Sequence, residues 1–282
     1  MYSVPPQCVL AATDLSEHGG EAADRAVALA TAHGARVRVV HVLSPGVDPD
    51  LVEFAGARLR SRTRRYADGG ENVETGLRFG RTGHALLDEA RKTDADLLVV
   101  GAHGAHRRPD ASIGGVPANL VRASGVPTLI VRRPADTAYR RVLLAVDDSE
   151  VSREAARVGT GLTPEAEHLV LHAGLVPGER LLLQQGVDDA GLEQLRSAVV
   201  EQARPGIERL ADTLHPRPDR VLVVPGRAQD TVPERAESLG ADLVAVGTGT
   251  RSGLGYTFLG SVARHVVVRS PCDVLVVPNA ER

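Results

Sequence analysis

Two glycine-rich stretches stand where an α/β chain could hold a phosphate. GTGTRSGLGYTFLGSVA (Gly247–Ala263) follows the strand-like run ADLVAV and leads into the helix-like run SVARHVVV; GAHGAHRRPDASIGG (Gly101–Gly115) follows ADLLVV in the same manner. In one, Gly247 and Thr250 are followed after nine residues by Gly260 and Ser261; in the other, Gly101 and Gly104 are followed after nine by Gly114 and Gly115. Glycines at the start of such a loop let backbone amides close on an anion and take positive φ without a Cβ penalty. The last pair opens a helix, where unsatisfied N–H groups and about half a positive charge attract anions. A hydroxyl there adds a hydrogen bond to a charged oxygen, worth roughly 1.5–3 kcal/mol. Asp14 and Asp147, each after an apolar run and before Ser-Glu, are the companion candidates. They fit two roles, ligand contact and capping of the helix that follows.

The elements that must position these residues occur twice. CVLAATDLSE (Cys8–Glu17) returns as VLLAVDDSE (Val142–Glu150), ADLLVVG as ADLVAVG, and VPTLIV as CDVLVV; from Gly80 and Gly226 onward the copies run at a constant offset of 146 residues. A repeat this long is a domain rather than a solenoid unit. The polar segment RRPADTAYR divides the chain into domains 1–135 and 136–282. In the first, strands are expected at 8–12, 35–43, 73–79, 97–101 and 126–131. Helices fall between them: one opened by Ser16 and Glu17 and closed by Gly34, one over about 50–68, one over GRTGHALLDEARKTDA, and one over about 115–124. The second copy repeats the order, with Pro205 expected to interrupt its second helix. Alternating strands and helices make an α/β fold with a parallel sheet covered on both faces, and ligands of such sheets bind beyond the carboxyl ends of the strands where strand order reverses. Asp14, Asp147 and both glycine loops belong to that edge.

The ordered set resembles the universal stress protein family, whose ATP-binding members carry G-x-x-G, nine residues, then G-S or G-T. The resemblance spans essentially the whole chain as two tandem copies, and includes the ATDLSE and AVDDSE openings, the VVHVL strand and the GSVARHVVVRSPCDVLVV ending. It implies two tandem flavodoxin-like (adenine nucleotide alpha hydrolase-like) domains, each a five-stranded parallel sheet with helices on both faces. It also implies a non-catalytic, cytoplasmic stress-response role with ATP, and Mg²⁺ accompanying it, as ligand. By the same resemblance Asp14 and Asp147 lie near the ribose, and the main chain at Val42 and Ala173 meets adenine. The terminal strands of the two copies would pair as an intramolecular pseudo-dimer. A further homodimer and a regulatory protein partner are left open.

Each copy departs from the pattern once. Gly115 stands where a hydroxyl is expected, and Thr250 stands where a glycine is expected, at a steric cost of about 1–2 kcal/mol if positive φ is required. The first copy is therefore the better expected nucleotide site. A nucleotide-free interaction module, a slow ATP hydrolase and another small ligand in the same cleft remain as alternatives.

Composition narrows the classes further. Aromatics are 2% of the chain, with no Trp, which leaves few faces for stacking bases, and the net charge of -3 is no nucleic-acid footprint. RLRSRTRRY (Arg58–Tyr66) reads as a solvated helix face, and His103 and His106 as loop histidines without further ligands at metal-binding spacing. Cys8 and Cys272 lie in or beside apolar strands and suggest neither a disulfide framework nor a metal site. No apolar run reaches the ~18 residues of a membrane helix, and nothing at the N-terminus has signal-peptide character. A nucleophile elbow and a P-loop lysine are both missing.

Overall fold

The computed structural model describes residues 2–68, 72–104, 113–249 and 259–279. The first half runs β1 (Cys8–Ala12), α1 (Glu17–His33), β2 (Arg36–Leu43), α2 (Pro49–Asp68), β3 (Val73–Phe79), α3 (Thr82–Lys92), β4 (Leu97–Gly101), α4 (Gly115–Ala123) and β5 (Thr128–Val131). The second runs β6 (Arg141–Ala145), α5 (Glu150–Leu162), β7 (Glu167–Gly174), α6 (Glu179–Gln184), α7 (Asp189–Asp212), β8 (Arg220–Pro225), α8 (Ala228–Ser238), β9 (Leu243–Gly247), α9 (Ser261–Arg269) and β10 (Asp273–Val277). Local chemistry sets many of the boundaries. The Ser16 hydroxyl accepts from the Gly19 amide to open α1, and Gly34, at φ 66°, closes it in the left-handed region. Ser149 opens α5 in the same way, through the Ser152 amide.

The two sheets are one. Strand order is β3-β2-β1-β4-β5-β10-β9-β6-β7-β8, parallel within each half. The terminal strands expected to meet do pair: β5 and β10 run antiparallel, with Leu129 opposite Leu275. Every residue of both strands is buried, so an apolar edge of each half is removed from water. The core crosses the seam on both faces. One cluster joins α1, α2, α5 and α7 to the sheet through residues such as Ala26, Leu59, Ala155 and Ile207. The other uses Leu86, Leu120, Ala236 and Val266 of α3, α4, α8 and α9.

A buried polar cluster also ties the halves together. Asp273 of β10 accepts from the Tyr139 hydroxyl at 2.6 Å and from the amides of Arg132 and Arg133 at 2.7 and 3.2 Å. Arg25 of α1 lies 3.6 Å from the same carboxylate, stacks on Tyr139, and donates to the carbonyls of Thr137 and Pro134. The N-terminal segment adds a second tie: the Tyr2 amide donates to Glu154, and Arg157 donates to the Tyr2 carbonyl.

Pro205 does not interrupt its helix. α7 runs through it, and the break falls earlier, between α6 and α7, where Gly186 takes φ 89°. Pro205 sits on the exposed face, so the carbonyl it leaves without a donor can be hydrated, while Ile207, Leu210 and Ala211 hold the following turns in the core. Cys8 and Cys272 are free thiols, both buried.

Candidate functional site

Strand order reverses in the first half between β1 and β4, and the segments leaving these strands border a cleft of about 260 Å³. Six residues singled out in the first copy line it: Asp14, Val42, Gly101, Gly104, Gly114 and Gly115. Val42 comes from the end of β2, and Thr82 and Leu86 of α3 form a further wall. Position follows from topology. Parallel neighbours β2, β1 and β4 deliver their carboxyl ends to one edge, and the Gly114 amide bonds the Ala102 carbonyl at 2.9 Å, bringing the start of α4 back over that edge.

The cleft brings a helix start and a carboxylate together. Among the described residues no side-chain hydrogen bond caps the N-terminus of α4, whose first residues Gly115 and Val116 line the cleft. Pro117 withdraws the third amide, which makes this a two-donor helix start. A side chain at Gly115 would meet nothing within 4 Å, so the missing hydroxyl is a matter of chemistry and not of space. Asp14 is held by the turn that follows it: its Oδ1 accepts from the Ser16 amide at 3.0 Å and the Ser16 hydroxyl at 2.5 Å. Its Oδ2 lies 3.1 Å from where a Cβ on Gly104 would stand, so Gly104 is what lets the loop pass this carboxylate. The carbonyl of Thr13 accepts from Nδ1 of His41 at 2.8 Å, which fixes that ring at the cleft wall.

The second half repeats the backbone hydrogen bonds of the first. The Gly260 amide bonds the Thr248 carbonyl at 3.1 Å, and His172 bonds the Val146 carbonyl, both as in the first half. Asp147 accepts from the amide and hydroxyl of Ser149. Val151, however, lies directly on the loop: a Cβ on Gly247 would be 2.8 Å from its carbonyl oxygen, and one on Gly249 would collide with its Cγ1. A Cβ on Gly260 would run into the Gly249 carbonyl. Gly174, beside Ala173, is covered by α7, with Val199 Cγ1 2.6 Å from where its Cβ would be. Ser261 begins α9 with its side chain exposed; Thr250, like His106 of the first half, lies outside the described residues.

Gly19 also lines the cleft and was not singled out in the sequence. A Cβ there would collide with Asp14 Oδ1 and stand 3.1 Å from Thr13 Oγ1. Its counterpart is Ser152, whose hydroxyl accepts from the Asp147 amide and bonds the Asp147 carbonyl. The contrast was available in the repeat itself, as SEHGG against SEVSR.

Comparison with known proteins gives the family. The profile of the universal stress protein family matches residues 7–132 and again 138–278. The chain belongs to that family. A universal stress protein of Thermus aquaticus is 33% identical over 141 residues, covering 49% of this chain and 98% of its own. A universal stress protein from Archaeoglobus fulgidus has the same fold along nearly the whole length, with TM-score 0.67 at 18% identity, covering 96% of this chain and 98% of that one. A universal stress protein solved in complex with cAMP is 30% identical over 45% of this chain and 97% of its own, with TM-score 0.39.

Proposed function

We propose that this tandem universal stress protein is a nucleotide-binding regulator of the stress response, acting in the cytoplasm, whose first half holds ATP and whose second half serves as scaffold. One observation carries the reading. The first cleft gathers Asp14, the start of α4 and the glycines at 101, 104, 114 and 115, whereas in the second half Ser152 stands in the place of Gly19 and bonds Asp147. The triphosphate would lie against the amides of Gly115 and Val116, with the nucleoside toward Asp14 and Val42. Among the described residues no three His, Cys, Asp or Glu side chains converge on a metal, so Mg²⁺ would enter on the phosphates, with Asp14 the carboxylate nearest to complete its shell. Among the described residues no Lys or Arg lines the cleft. Among the described residues no helix is long and apolar enough to cross a membrane.

The test is calorimetric titration of ATP, with cAMP alongside, into the wild type, Gly104→Arg and Ser261→Ala, each checked by circular dichroism. Binding by the wild type and Ser261→Ala, lost in Gly104→Arg, is the expected result. Loss in Ser261→Ala alone would move the site to the second half, and no binding of ATP by the wild type would end the reading.

A further inference from the structure

Arg62 is the one arginine of RLRSRTRRY whose contacts lead to the cleft. Its Nη1 donates to two consecutive backbone carbonyls, Leu15 at 2.9 Å and Ser16 at 2.7 Å, across from α2 to the turn after β1. That turn is unusual. Leu15, an apolar residue 8% exposed, takes φ 61°, a conformation that side chains other than glycine rarely adopt. It immediately follows Asp14 and precedes the Ser16 that grips Asp14 Oδ1. The guanidinium reaches the turn because Gly20 leaves room: a Cβ there would collide with Arg62 Nη2. The adjacent glycines of SEHGG thus have separate tasks, Gly19 clearing space for Asp14 and Gly20 for Arg62.

The second half shows the alternative solution. Its turn is fastened from within, by the Ser152 hydroxyl bonded to both amide and carbonyl of Asp147, and Arg153 stands where the first half has Gly20. Asp148, in the place of Leu15, is not among the residues with positive φ. The second half's fastener, Ser152, stands at the position of Gly19, beside the acid; the first half's comes from α2.

We propose that Arg62 is a positioning residue for nucleotide binding, holding the Leu15–Ser16 turn in the conformation that presents Asp14 to the cleft while leaving the space at Gly19 open. The inference rests on the ATP reading of that cleft. It is specific to the first half, and it assigns the arginine a role through Asp14 and not through contact with ligand.

A double-mutant cycle tests it: ATP affinity of the wild type, Arg62→Met, Asp14→Asn and the pair, with thermal unfolding of each. Arg62→Met should weaken ATP about tenfold or more through the lost charged hydrogen bonds. The same substitution should cost little further in the Asp14→Asn background, because both changes act on one contact. Arg62→Lys, which keeps the charge and a donor, should fall between wild type and Arg62→Met, and takes its place in the cycle if the Met variant does not fold. A clamp that only stabilises the fold would lower the melting point and give losses that add. Additive losses, or wild-type affinity in Arg62→Met, would overturn the positioning role while the ATP site stands. Absence of ATP binding by the wild type would overturn both.

Discussion

Replacing Arg25 by Met probes the seam between the halves. The Asp273 side chain is fully buried and the Arg25 side chain 5% exposed, so solvent screening does not discount the pair. Breaking a buried ion pair from one side costs about 3–5 kcal/mol. Asp273 would keep the Tyr139 hydroxyl and the Arg132 and Arg133 amides, which places the loss near the lower end, about 3 kcal/mol. For a chain of this size that is a fall of roughly 6–12 °C in melting temperature. The deficit should also depend on pH. Burial holds the Asp273 carboxyl above its usual range, against the Tyr139 hydroxyl, the Arg132 amide and the Arg25 charge. The folded state therefore keeps this proton longer than the unfolded chain, and the group's contribution to stability falls as pH rises through the folded value. Removing Arg25 raises that value further. The variant should thus be weakest, relative to wild type, at neutral pH and above, and the gap should narrow as pH falls through the variant's folded value. Urea unfolding of both proteins near neutrality and at about pH 5 measures this. A deficit below about 1 kcal/mol at neutral pH, or one that widens on acidification, would refute the reasoning.

Gly19→Ser imports the second half's residue into the first cleft; it should press on Asp14 and weaken ATP by about tenfold or more, as calorimetry would show, and unchanged affinity would mean that the space at Gly19 is not used. Burial pushes the Glu89 carboxyl up, but Arg78 and Arg38, both bonded to it, prevail and hold it below its usual range. Its contribution is therefore present at neutral pH and lost as pH falls through the folded value; Glu89→Gln should cost about 2 kcal/mol at neutral pH and less in acid, read by urea unfolding. Burial pushes the Cys272 thiol up to about 11, so in native protein it should resist a thiol-specific chromogenic reagent at neutral pH and react once urea unfolds the chain. Rapid reaction of the folded protein at Cys272 would contradict its burial.

Much of the fold was legible because its signals are local. Caps such as Ser16 and Gly34 satisfy backbone groups within a few residues, and apolar runs such as LLVVG announce strands buried on both faces. The meeting of β5 and β10 was implied by the family resemblance, and an edge rich in Val, Leu and Ile at the end of each copy gave it a physical reason. Pro205 was misread because its effect depends on which face of α7 it occupies, and periodicity around one residue does not reveal that. At the site, residue types and spacing picked out Asp14 and the glycines, and favoured the first copy, which keeps every glycine of the pattern. Attention fell on Gly115 and Thr250, within the loops, whereas the difference the structure describes lies at Gly19 and Ser152, in the first turns of α1 and α5.

The sequence by itself determined the elements, their duplication and the edge of the sheet where an anion could be met, because helix periods, caps and glycine turns are written in near neighbours. Only the tertiary structure brought Asp14, Val42 and the glycines at 101, 104, 114 and 115 to one cleft. The turn that carries Asp14 is held there by a guanidinium from α2, forty-odd residues away. Such distances are set by packing, where a single Cβ fills or empties a pocket, and no local pattern records them.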